Sequence, residues 1–194
     1  MTDTATDAGA LSGLVSFLQA AEQLKDTLRS GYTAGGRHES TAEHTWRLCL
    51  LAMILEPRLP GIDMLRLLKL CIVHDLGEAV SGDVPATAQT PEDGKAARER
   101  TDLVALCAPL PVPDRAAILA LWDEYDAAET SEAVLAKGLD KLETVFQHAI
   151  GANPDDFDYA FNLRYGADRT AVHPLLAELR RLADAATRAR MPPG

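Results

Sequence analysis

The chain has 194 residues, the size of one globular domain with one core. Apolar residues at 47% and charged residues at 25% are the balance of an ordinary globular protein and exclude disordered, collagen-like and coiled-coil readings. The net charge of −10 argues against a nucleic acid polymer as partner, because phosphate contacts to Lys and Arg supply most of that affinity; a nucleotide-sized ligand needs only one or two local arginines.

Apolar residues recur at helical spacing nearly everywhere, and β-branched and aromatic residues are nowhere gathered into strand-like runs. The pattern predicts an all-α chain, with a flexible N-terminus at 1–10 and a single helical domain over 11–190. In chain order, helices are expected over Leu11 to Arg29, Thr41 to Glu56, Met64 to His74, Pro91 to Cys107, Asp114 to Ala128, Ser131 to Ile150, Asp155 to Leu163 and Thr170 to Arg188. Ser40-Thr41-Ala42-Glu43 has the form of a capping box, which places His44 in the first turn of its helix. Thr90-Pro91 and Asn153-Pro154, each followed by two acidic residues, are read as further helix starts. Gly77 to Ala88 is the least helical internal stretch, and Pro109, Pro111 and Pro113 mark a turn. No apolar run reaches the roughly 18 residues of a spanning helix, and the first residues lack a leader pattern, so no membrane partner is expected. Cys49, Cys71 and Cys107 lie in apolar helical runs and read as reduced core thiols, which suits a cytoplasmic protein.

The chemistry concentrates on histidines that face inward. His44, Leu48, Leu51 and Leu55 share one helix face, and His74 closes the stripe Leu67, Cys71, His74. Asp75 follows His74 directly, and Glu78 stands four residues beyond it. Burying such groups unpaired costs roughly 1 to 3 kcal/mol each. A lone histidine in this setting bonds a backbone carbonyl at a helix end. Two inward histidines beside an Asp and a Glu also offer the N and O ligands that suit Mn, Co, Zn or Fe. Asp140 lies at the edge of the buried stripe Leu135, Leu139, Leu142, Phe146, where it fits either a metal site or a solvated neighbour of Lys137.

These residues carry a family resemblance. Arg37-His38-Glu39-Ser40-Thr41-Ala42-Glu43-His44, then His74-Asp75-Leu76-Gly77-Glu78-Ala79-Val80-Ser81-Gly82-Asp83-Val84-Pro85, then Gly138-Leu139-Asp140-Lys141-Leu142-Glu143 resembles the H…HD…D signature of the HD-domain metal-dependent phosphohydrolases, in particular their 5'-deoxynucleotidase-like branch. The resemblance implies an HD-fold helical bundle and one divalent metal (Mn, Co, Zn, Fe or Mg) held by His44, His74, Asp75 and Asp140. It implies that Glu78 serves the attacking water and Asp83 the sugar or the leaving group. Val84, Pro85 and Ala86 would wall a nucleoside pocket, and Arg29 would bind phosphate, with Arg37 a second candidate that can instead pair with Glu43 or Asp75. The implied substrate is a nucleoside 5'-monophosphate, and a homodimer is implied with it.

Di-iron and dinuclear HD proteins resemble this chain in their outer ligands but place further histidines between the HD pair and the last Asp; none lies there in this sequence, which implies one metal per site. His148 is read as surface or core packing, and His38 and His173 carry no assignment. The branch has Trp after the Arg where this chain has Ser30, a departure that bears on base and sugar preference. Trp46, Trp122 and Tyr125 are read as core aromatics, Trp46 packing against the ligands and Tyr125 a lesser candidate for the nucleoside pocket. Two alternatives stay open at this point: a hydrolase of another small phosphate ester or modified nucleotide, and a non-catalytic metal- or nucleotide-binding HD protein.

Overall fold

The computed structural model describes residues 8–88 and 94–191. The described chain is helical apart from one hairpin. Helix α1 (Ala8–Ala21) runs into a 3-10 turn at Glu22–Lys25 and then into two short antiparallel strands, β1 (Leu28–Tyr32) and β2 (His38–Ser40). After them come α2 (Thr41–Leu55), α3 (Met64–Val73), the single-turn α4 (Glu78–Ser81), α5 (Lys95–Leu106), α6 (Val112–Ala127), α7 (Ser131–Ile150), the short α8 (Tyr159–Asn162) and α9 (Ala167–Ala171), and α10 (Pro174–Arg190).

The centre is α7, with thirteen of its 20 residues buried. Its Leu135, Leu139 and Leu142 pack with Leu48 and Ala52 of α2, Leu67 and Leu70 of α3 and Leu176 of α10 in the main core. A second cluster joins Val73 and Leu76 to Leu103 and Leu106 of α5 and Trp122 of α6. Gly77 lets the chain turn between α3 and α4 against α5, where a Cβ would stand 2.6 Å from the Glu99 carbonyl oxygen.

The predicted α2 and α7 agree with the structure almost residue for residue. The Ser40 capping box forms as expected, with Ser40 Oγ accepting from Glu43 N and the Glu43 carboxylate accepting from Ser40 N. Three expectations are corrected. The helix expected to reach Arg29 ends at Ala21, and Arg29 sits on β1. It pairs with His38 to Ser40 in a hairpin whose strands are too short for periodicity to register. The helix start at Asn153-Pro154 is not used; Asp158 caps α8 instead, its Oδ1 accepting from Phe161 N. The helix expected over Thr170 to Arg188 is broken by His173 and Pro174, where the His173 ring accepts from Leu175 N and starts α10. The Thr90-Pro91 start lies outside the described residues. Within the stretch expected to be least helical, Glu78 to Ser81 forms one helical turn that buries Glu78, with Asp75 and Asp83 as charged neighbours.

Candidate metal and phosphate site

His44 in the first turn of α2, His74 at the end of α3 with Asp75 after it, and Asp140 midway along α7 come together at one point. His74 Nε2 lies 2.9 Å from Asp75 Oδ2 and 4.0 Å from Asp140 Oδ1. His44 Nε2 lies 3.3 Å from Asp140 Oδ1 and 4.0 Å from Asp75 Oδ2. The spacings suit donors about 2.1 Å from one small divalent cation, which stand roughly 3 to 4 Å apart.

The other side of each imidazole explains why these atoms face inward. His44 Nδ1 bonds the Glu143 carboxylate, and His74 Nδ1 bonds the Cys71 carbonyl at 2.7 Å. Both partners are acceptors, so each Nδ1 carries the hydrogen and each Nε2 of a neutral ring presents a lone pair. Both Nε2 atoms are buried and neither makes a hydrogen bond, although carboxylate oxygens stand close. Lone pairs of two rings and two carboxylates converging in the interior are stable only around a positive charge. Burial pushes Asp75 and Asp140 up, yet neighbouring cationic groups hold both well below the usual carboxylate range: His74 and Arg29 for Asp75, Lys141 and the two histidines for Asp140. With no cation in place, burial and Arg29 oppose charge on His44 but Glu143 and Asp140 raise it to about 9, so its Nε2 would present a lone pair only as a bound cation displaces that proton. The residues therefore fit a divalent cation.

Glu143 was not singled out in the sequence, and it organises the site from behind. It bonds His44, accepts from Arg47 Nε, and its carbonyl accepts from Arg47 Nη2 at 3.2 Å. Trp122 Nε1 donates to the His74 carbonyl at 3.1 Å, and Tyr125 Oη donates to Asp140 Oδ2 at 3.0 Å with its ring 5.2 Å from that of His74. Tyr125 thus braces two candidate ligands and is absent from the cavity lining. Trp46 is 66% exposed, a correction to its reading as a packing residue.

A cavity of about 580 Å³ opens from this point, within the range of small-molecule sites. Asp75 and Asp140 lie at its inner end, and Arg29, Glu78, Asp83, Val84, Pro85 and Ala86 all line it. Arg29 Nη1 donates to Asp75 Oδ2 at 3.3 Å and Nη2 to Thr144 Oγ1 at 3.1 Å. Arg37 does not enter: it pairs with Glu43 at the surface. Glu78 is buried and accepts from Thr41 Oγ1 at 3.0 Å; burial, then the charges of Asp75 and Asp83, push it up to about 9. Burial likewise raises Asp83. Lys95 and Lys141 are further cavity-lining cations that the sequence reading did not assign.

His148 is core packing that also lines the cavity. Its Nδ1 donates to Asn162 Oδ1 at 2.8 Å, and burial holds the ring below its usual pKa. Below about pH 6.5 the unfolded chain's imidazole takes a proton that the folded ring resists, so this group adds stability above that pH and loses it as the pH falls. On going from about pH 7.5 to about pH 5.5 the urea midpoint of the wild type is therefore expected to fall relative to that of His148→Gln. The same change of midpoint in both proteins would contradict this reading of His148.

An all-α domain that gathers two histidines and two aspartates at the end of an open cavity, with an arginine beside them, defines the class of metal-dependent phosphohydrolases. The chain belongs to the HD domain family of these enzymes: the family model described as HD domain matches residues 21–180. It is similar to a 5'-deoxynucleotidase of Mus musculus, 31% identical over 141 residues that span 72% of this chain and 70% of that protein. A 5'-deoxynucleotidase of Dictyostelium discoideum is 28% identical over 181 residues, 87% of this chain and 95% of that one. A solved structure from Magnetospirillum magnetotacticum, called a predicted metal-dependent phosphohydrolase, superposes with a TM-score of 0.78 at 28% identity over 93% of this chain and 94% of its own.

Proposed function

We propose that the protein removes the 5'-phosphate from 2'-deoxynucleoside 5'-monophosphates, with one divalent cation held by His44, His74, Asp75 and Asp140. The observation that carries this reading is the pair of buried, unbonded Nε2 atoms aimed with two carboxylates at the inner end of a nucleotide-sized cavity. The names of the similar enzymes support the substrate class. When bound, a divalent cation polarises the phosphoryl oxygens and lowers the pKa of water.

Arg29 supplies a planar fork for two phosphate oxygens. Asp75 and Thr144 hold that fork at the inner end of the cavity. With a divalent cation offsetting the Asp75 charge that raises its pKa, Glu78, oriented by Thr41, would be ionised and would take the proton of the water that attacks phosphorus in line. Asp83, kept protonated more readily by burial, gives a proton to the 5'-oxygen as the P–O bond breaks. Val84, Pro85 and Ala86 wall the nucleoside side. The products are a deoxynucleoside and inorganic phosphate.

Two further features of the reading have support on the surface and in the core. Leu11, Leu14, Val15 and Leu18 form an exposed stripe on α1, and Trp46, Leu50, Met53 and Ile54 form another on α2. Apolar faces of this kind suit burial in a homodimer. The three thiols are free, and Cys71 and Cys107 are buried, in keeping with a reducing cytoplasm. Among the described residues no helix is long and apolar enough to cross a membrane.

The test is phosphate release from a panel of 2'-deoxy and ribo nucleoside 5'-monophosphates, on metal-stripped protein with Mn, Co, Zn, Fe or Mg restored. Metal-dependent release with the 2'-deoxy substrates ahead is the expected result. Release from no nucleotide with any of the metals would overturn the substrate class.

A further inference from the structure

The cavity has an aromatic part of its lining that none of the roles above uses. The stretch between α7 and α9 returns along it and adds Phe157, Phe161 and Tyr165 to the lining. This stretch is anchored on both sides. At its start, Asn153 Nδ2 donates to the His148 carbonyl at 2.6 Å and to Tyr159 Oη at 3.0 Å. At its end, the buried guanidinium of Arg180 donates to the carbonyls of Asn162 and Tyr165, both at 2.6 Å, with Asp184 balancing its charge.

The rings are tied to the inner end of the cavity. Lys141 Nζ bonds Asp140 Oδ2 at 2.8 Å and sits 5.1 Å from the centroid of Tyr165, so one lysine touches both the candidate metal ligand and the aromatic stretch. Gly166, at φ +62°, makes room for it: a Cβ there would lie 2.5 Å from the Lys141 side chain. Tyr165 in turn stacks on Phe161, with centroids 5.3 Å apart and planes 29° apart. Phe157 meets His148 at 73° and Tyr159 at 58°. Neither of these neighbours lies flat on the Phe157 ring.

We propose that Phe157 and Phe161 form a nucleobase subsite, which makes the base itself, and not only the sugar phosphate, a determinant of substrate choice. The inference rests on the nucleotidase reading and deepens it. A cavity lined both by cations and carboxylates and by anchored aromatic rings matches a molecule that carries both a phosphate and a flat heterocycle. Stacking on a ring is tolerant of base identity, since every base has a π-face. The subsite thus demands a base and selects weakly among bases.

The experiment compares kcat/KM for the four common 2'-deoxynucleoside 5'-monophosphates with that for 2-deoxyribose 5-phosphate, on the metal-loaded full chain. The wild type is expected to favour every nucleotide over the base-free ester by roughly 10- to 100-fold, the range of base–aromatic stacking. In Phe157→Leu and in Phe161→Leu, each of which keeps apolar bulk but loses the flat face, this preference is expected to fall roughly tenfold or more, through KM. As a measurement that needs no variant, 2'-deoxyadenosine is expected to inhibit competitively where free 2-deoxyribose does not. Equal use of the base-free ester by the wild type, or a preference unchanged in both variants, overturns the subsite while leaving the nucleotidase reading standing. No turnover of any of these esters overturns the nucleotidase reading and the subsite with it.

Discussion

His74→Ala is expected to strip the protein of its metal and to lower phosphate release by at least about 10³-fold, because the charge stabilisation a cation supplies in the transition state is worth several kcal/mol and each 1.36 kcal/mol is a decade. The ring is one of two buried imidazoles whose Nε2 has no hydrogen-bonding partner within the protein. Removing it leaves Asp75 and Asp140 converging with one neutral donor fewer. The helix end should survive: the Trp122 indole bonds the His74 main-chain carbonyl, which alanine retains. Metal per chain by mass spectrometry and phosphate release on the same samples check the prediction. A variant that keeps both its metal and its turnover would remove His74 from the site.

Glu78→Gln is expected to separate binding from chemistry. Glutamine keeps the shape and the acceptor that Thr41 Oγ1 uses, and Glu78 is outside the proposed set of four ligands, so metal content should stay near that of the wild type. What is lost is a carboxylate able to take a proton from water, and kcat is expected to fall by about 10²- to 10⁴-fold, the span of general acid–base groups. Turnover within a factor of about two of wild type would end the assignment of Glu78 as the base.

How much of this was legible in the sequence depends on how local each signal is. The capping box at Ser40 and the heptad-like burial of Leu48 and Leu55 put His44 inside from local pattern alone, and the structure buries it completely. Arg29 lies on a strand and not on the expected helix: β1 and β2 are too short to show alternation, and Gly35-Gly36 is the local sign of the turn that joins them. Glu143 went without a role for a different reason. Asp140, Glu143, Thr144, Gln147 and His148 recur at i, i+3, i+4, i+7 and i+8, the spacing of one helix face. All five are buried on α7. A polar stripe on a central helix is a legible signal, but reading it requires knowing that both faces of the helix are covered. The partner that makes Glu143 useful, His44, lies 99 residues earlier. The aromatic lining of the cavity was equally hidden: Phe157, Phe161 and Tyr165 join the charged residues there because Arg180 and Lys141 anchor the stretch of chain that carries them.

In the proposed reading His44, His74, Asp75 and Asp140 hold a single cation per chain, with Glu143 turned away behind His44. The most direct measurement is a titration of metal into stripped protein with phosphate release from a 2'-deoxynucleoside 5'-monophosphate read at each step. The stripped protein is expected to release no phosphate, and release to rise linearly on adding metal to a plateau at one equivalent per chain. Release that is undiminished after stripping, or a plateau reached only at two equivalents, would contradict the single-cation reading.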